Sequence, residues 1–163
     1  MDAIVCLKTR RSIRAFGPDP VLEAVIADVV DCARLAPTAF NRQDWTFVVV
    51  RDAAVRQRIA DITGHAAFIG QAPVCVAVFA GVTEYWVEDG SAATENLLLA
   101  AHAHGLGACW VGGYQTPYGP AIGELLGAPA GQRLVSLVAI GHPAEAPVVE
   151  KKPLGDVLRW DRF

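Results

Sequence analysis

The chain has 163 residues, 53% of them apolar and 19% charged, with a formal net charge of −3. That composition excludes intrinsic disorder, which needs low hydrophobicity and high net charge, and the overall field gives no reason to expect nucleic acid. The length suits one α+β domain spanning 1–163, and the low charged fraction points to apolar surface hidden against something other than the chain itself.

Asp2 caps a short helix through Lys8, and residues 10–16 follow as irregular or extended chain closed by Gly17-Pro18. Asp19-Pro20 reads as a helix start, and Leu22, Val25, Ile26, Val29 and Ala33 form a helical stripe ending near Ala36, ahead of Pro37. Trp45–Val50 is a strand, β-branched and aromatic throughout. Asp52 caps a helix carrying Val55, Ile59 and Ile62, and 73–80 is apolar on both faces, as a central strand is. A helix over 91–104, a strand over 108–111, a helix over 120–126 and a strand over 134–140 complete the order. The tail from His142 carries Pro143, Pro147 and Pro153, so it is an extended arm with one short turn at 154–158.

The four cysteines lack zinc-knuckle spacing and read as buried free thiols, and no metal site is expected. The N-terminus shows no basic region followed by an apolar run, and the charge-free stretch between Glu95 and Glu124 is broken by glycines and Pro117. A cytoplasmic protein without a membrane partner is expected. His102 and His104 lie two apart on a helix, face different ways and read as structural.

Three segments have the residue types for chemistry. Arg10, Arg11 and Arg14 with Ser12 put three guanidiniums and a hydroxyl within five residues, a set that suits a phosphate dianion; the bland alternative is a solvated basic turn. Asn41 and Gln43, in the loop from Ala36 to Trp45, carry amides suited to the edge of a planar heterocycle, or to an ordinary turn. Gly112-Gly113 ends a strand, where bare N–H groups can approach a flat ligand, though a plain turn needs glycines too. The run from Gly105 is not a dinucleotide fingerprint, since Trp110 stands at the third glycine and a strand follows. With no nucleophile elbow, P-loop or metalloprotease motif, the pattern suggests a cofactor that brings its own chemistry.

Together the Arg-Arg-Ser-x-Arg segment, the Ala-Pro-Thr-Ala-x-Asn-x-Gln-x-Trp loop, the Gly-Leu-Gly-x-Cys-Trp-x-Gly-Gly run and the Ile140–Glu145 ending with Lys151-Lys152-Pro153 resemble the nitroreductase family. The resemblance implies an α+β nitroreductase-like fold: a central, mostly antiparallel sheet flanked by helices, in an intertwined homodimer with a C-terminal arm. It implies FMN as cofactor. Arg10, Arg11, Ser12, Arg14 and Lys151 hold the phosphate. Pro37, Thr38, Ala39 and Asn41 of the partner subunit, with Gln43, line the ring, and Gly112 and Gly113 approach flavin N5. The implied activity moves a hydride from NAD(P)H through flavin N5 to a nitroaromatic or quinone by a ping-pong route. The alternatives are a flavin-binding or storage module without turnover, and a related flavin dehydrogenase or dehalogenase. Asp44 and Val149 depart from the family pattern, and the short connection over 81–90 leaves no room for a covering insertion, so Tyr85 and Trp86 are expected near an open pocket.

Overall fold

A computed structural model describes residues 1–163. Helix α1 (Ala3–Thr9) starts at Asp2, whose Oδ1 accepts from the N–H groups of Ile4 and Val5 at 3.0 and 3.1 Å. It buries only Cys6 and leaves Ile4, Val5 and Leu7 exposed. Helix α2 (Glu23–Ala33) begins later than Asp19-Pro20 predicts, and Leu22 is not on its buried stripe. The chain runs extended past the prolines and turns Val21 into the core, leaving Leu22 72% exposed. Burial of Val21 outweighs the side-chain cap that Asp19 would supply.

Strands β1 (Trp45–Val50), β2 (Val74–Gly81), β3 (Gly107–Gly112) and β4 (Gln132–Gly141) form one sheet in the order β1-β2-β4-β3, every pairing antiparallel. Outside β3 a single parallel bridge joins Ser12 to Ala108, and the Ile13 N–H donates to the Ala108 carbonyl at 2.9 Å. Along central β2, Val74, Val76, Val78 and Ala80 face a cluster with α2 and α5 (Trp86–Ala103). Cys75, Ala77 and Phe79 face the opposite cluster, with α3 (Ala53–Thr63), α4 (Phe68–Gln71) and α6 (Gly119–Leu125). This is the period-two alternation of a strand buried on both sides. The four-residue α4 carries too little periodicity to be read from sequence.

The β2–β4 register shifts between Val78 and Phe79, which pair with Ser136 and Leu134. The extra residue is Val135, and both Val135 and Ser136 turn toward α5. There the Ser136 and Thr94 hydroxyls meet at 2.7 Å, fully buried. Thr94 spends its proton on the Gly90 carbonyl at 2.7 Å, so Ser136 donates to Thr94. Gly90 sits inside α5 because a Cβ there would lie 2.6 Å from Val135. It packs rather than breaks, which is why α5 starts at Trp86 and not near Ser91, and the connection from β2 is only Val82–Tyr85. The arm from residue 144 is exposed almost throughout; in the short α7 (Leu154–Val157) and after it, Leu154, Trp160 and Phe163 touch little. No helix is long and apolar enough to cross a membrane.

Candidate functional site

The four residues of the arginine segment lie between the end of α1 and the outer edge of β3. Arg10 Nε approaches Glu95 Oε1 of α5 at 3.4 Å. Arg11 folds back, donating to the Lys8 and Arg10 carbonyls at 3.0 and 2.7 Å, and Ser12 forms the bridge to β3. Past them, the backbone N–H groups of Arg14 and Ala15 both donate to one oxygen of Glu145. The Ala144 N–H donates to the Ala15 carbonyl and the Gly17 N–H to the His142 carbonyl, so residues 142–145 zip onto 15–17. Beside them is a cavity of about 440 Å³, lined by Arg10, Arg11, His102, the 105–108 backbone and 143–147. Lys151 stands exposed on the arm and does not line this cavity.

His102, read as structural from its spacing, lines the same cavity. Its Nε2 lies 2.8 Å from Thr9 Oγ1, which gives its own proton to the Val5 carbonyl at 2.7 Å. Nε2 therefore carries a proton and Nδ1 is the atom that titrates. Burial lowers the imidazole pKa, and the Arg10 and Arg11 charges lower it further. Behind the segment, burial pushes the Cys109 thiol up; Arg14 opposes that shift, Glu145 adds to it and Arg10 opposes it. His104 instead pairs with Asp28 at 2.6 Å on the other side of α5.

The amide loop is a 3-10 turn (Ala39–Asn41) with Phe40, Asn41 and Gln43 all at positive φ, near +55°. Such conformations cost non-glycine residues about 1 kcal/mol or more and persist only where surroundings fix them. Here the Ala39 N–H donates to Asp89 Oδ1 of α5 at 2.9 Å, and the Gln43 N–H to Thr38 Oγ1 at 3.2 Å. Gln43 Nε2 donates to Asn41 Oδ1 at 3.0 Å, which joins the two amides. Pro37, Asn41 and Gln43 are exposed, and Thr38 and Ala39 half-buried.

At the end of β3 the two glycines differ. Gly113 is buried; its N–H donates to the Val135 carbonyl at 2.8 Å, and a Cβ would meet Leu134 Cγ at 2.6 Å. The expectation of two bare donors therefore gives way to one exposed position, Gly112, which has nothing within 4 Å of its missing Cβ. The Tyr118 hydroxyl donates to the Gly112 carbonyl, and the Thr116 hydroxyl to that of Gly113 at 2.9 Å, so the turn is fixed from behind. Around this end stand Trp86 against Tyr114, at 5.4 Å, and Tyr85 against Phe40, at 6.5 Å.

Helix α5 organises all of this. Asp89 holds the amide loop and Glu95 faces Arg10, six residues on. In a helix, six residues are about 9 Å along the axis and about 120° around it. One chain therefore presents its arginine segment and its amide loop on different faces of the same helix. Asp89 and Glu145 hold the two segments by backbone N–H groups; Glu145 closes the Ile140–Glu145 ending, while Asp89 beside Glu88 belongs to none of the segments singled out.

The nitroreductase family model matches residues 7–73 and 62–142. The chain belongs to the nitroreductase family. It is thus an oxidoreductase enzyme. A Methanothermobacter thermautotrophicus protein with the provisional name NADH dehydrogenase/NAD(P)H nitroreductase is 35% identical over 153 residues, covering 90% of this chain and 80% of that one. An FMN-dependent nitroreductase from Clostridium difficile is similar in structure, with a TM-score of 0.92 and 26% identity over 98% of this chain and 99% of that one. A Thermus thermophilus NADH dehydrogenase is 28% identical over 200 aligned positions, covering 98% of this chain and 96% of that one. The alignment is longer than this 163-residue chain, so that relative has residues without a counterpart here.

Proposed function

We propose that this nitroreductase binds FMN and passes electrons from NAD(P)H to a small, electron-poor aromatic acceptor, a nitroaromatic or a quinone. The observation that carries the reading is the end of β3. An exposed glycine with open space above it adjoins a ring of aromatic side chains and is fixed from behind by Tyr118 and Thr116. A Cβ at residue 112 would fill that space, so the position fits a flat ring lying against backbone.

FMN, when bound, supplies the redox chemistry, a two-electron exchange between nicotinamide and acceptor. The protein's residues bind and orient. Arg10, Arg11, Arg14 and Ser12 offer donors and positive charge to the phosphate, and Lys151 adds a further cation from the arm. Pro37, Thr38 and Ala39 form the backbone shelf of the ring, while Asn41 and Gln43 read its polar edge. Gly112 admits the ring, and Gly113 keeps β3 in register behind it. The short Val82–Tyr85 connection leaves the aromatic rim open, which suits acceptors of varied outline.

The active unit is a homodimer in this reading. The two halves of the site lie on different faces of α5, so a second copy is needed to bring one chain's amide loop to the other's arginine segment. The exposed Ile4, Leu7, Leu154, Trp160 and Phe163 supply apolar surface for that contact. Anaerobic addition of NADH or NADPH to flavin-loaded protein tests the reading. It predicts bleaching of the flavin band, then recovery on adding a nitroaromatic or quinone. A flavin band unmoved by both nicotinamides overturns it and leaves a binding module.

A further inference from the structure

Arg56, in the first turn of α3, is only 8% exposed, and no carboxylate pairs with it. Asp52, the nearest acid in the chain, spends a carboxylate oxygen capping the Val55 N–H at 2.9 Å. The guanidinium gives Nη1–H to the Arg51 carbonyl, while its buried Nε–H has no acceptor in the protein. A buried charge is costly unless paired and hydrogen-bonded, so a bare one demands a partner.

Arg56 lines a cavity of about 270 Å³ between the 17–21 turn and the start of β2. Arg51 and Gln71 also line it, with backbone at Gly17 and Pro73, and no acidic side chain does. Arg51 pairs outward with Glu23 at 3.0 Å. Nη1 is the nitrogen on the Cδ side of the guanidinium. Its bond to Arg51 leaves the Nη2 side of the guanidinium without an acceptor in the protein, and Nη2, unlike the enclosed Nε, is open to an oxygen of an oxyanion. This cavity is on the α3 side of the sheet and shares no residue with the arginine segment of residues 10–14.

We infer that this cavity is a binding site for a single small oxyanion of the sulfate, phosphate or carboxylate class. Arg56 holds it through Nη2, and Arg51 adds charge and Gln71 a donor at the rim. Occupancy neutralises the buried guanidinium and ties the 17–21 turn to α3 and to the first residue of β2.

Thermal unfolding of FMN-saturated protein in sodium sulfate against sodium chloride of equal ionic strength tests this, with Arg10→Ala, Arg56→Met and Arg51→Gln beside the wild type; saturating flavin keeps sulfate out of the arginine segment proposed for the FMN phosphate. At sulfate ten times its Kd the wild type and Arg10→Ala gain about 3–5 °C over the general salting effect, which Arg56→Met alone reports. Should Arg56→Met not fold, sulfate calorimetry on Arg51→Gln decides: affinity falls about three- to fivefold, as for a partly exposed charge. Equal sulfate responses in Arg56→Met and wild type overturn the site and leave water as its occupant. So does loss of the response in Arg10→Ala, or an unchanged affinity in Arg51→Gln.

Discussion

Replacing each glycine of the Gly112-Gly113 pair by alanine separates fold from function at adjacent positions. At 113 the new Cβ would lie 2.6 Å from Leu134 Cγ, 2.9 Å from its Cδ2 and 3.1 Å from the Val135 carbonyl carbon. Backbone cannot yield as a flexible side chain does, and the 2.8 Å bond from the Gly113 N–H to the Val135 carbonyl is strained with it. Overpacking of this kind costs about 1–3 kcal/mol, about 2–12 °C in Tm for a chain of this size. At 112 nothing lies within 4 Å, and the backbone needs no positive φ. Gly112→Ala therefore keeps its Tm within about 2 °C, with a small gain possible from a stiffer unfolded chain. The same methyl group occupies the space that the proposed ring needs, so FMN binding weakens by tenfold or more. Thermal melts of the apoprotein and FMN titrations by flavin fluorescence read both quantities. Gly112→Ala binding FMN like the wild type, or melting as low as Gly113→Ala, would refute the assignment of the two roles.

Arg10→Ala and Arg14→Ala each weaken FMN about ten- to a hundredfold, the worth of a charge-assisted contact of roughly 1.5–3 kcal/mol, while apoprotein melts move little; equal flavin retention in both variants returns the cluster to a solvated turn. Truncation after Glu145 lowers both dimer content and FMN occupancy, read by light scattering and absorbance; a flavin-loaded truncated dimer would show the arm to be dispensable. Thr94→Val costs more stability than Ser136→Ala, about 1–3 against about 1 kcal/mol by urea unfolding, because it leaves the buried Ser136 hydroxyl without its acceptor. His102 has a folded pKa below its unfolded one, so its share of apoprotein stability is complete above about pH 6.5 and is lost as pH falls from there through the lower folded pKa. His102→Gln flattens that acid limb in unfolding curves taken between pH 5 and 8, and an unchanged limb sinks the assignment.

Much of this was legible in the residues. Strands β1 and β2, the Asp2 and Asp52 caps and the order of elements apart from α4 follow from β-branched runs, N-cap chemistry and apolar periodicity. Local rules failed where tertiary packing overrode them. Val21 displaced Leu22 from the core, and Gly90, a helix breaker by propensity, is where α5 touches Val135. The bulge at Val135 upsets strict alternation along β4, so no face assignment from pattern alone holds across it. At the site, the arginine segment and amide loop were visible as types, but their attachment was not. Asp89 and Glu145 act through backbone N–H groups 50 and 131 residues away, a distance no spacing rule spans.

That last separation bears on synthesis. Residues 10–15 are synthesised well before Ala108 and Glu145, with which they make their ordering contacts. A nascent chain halted before residue 142 can form the bridge to Ala108 but lacks the Glu145 carboxylate that holds the Arg14 and Ala15 N–H groups. The ordering of this segment is thus begun by one part of the chain and completed by another made well after it.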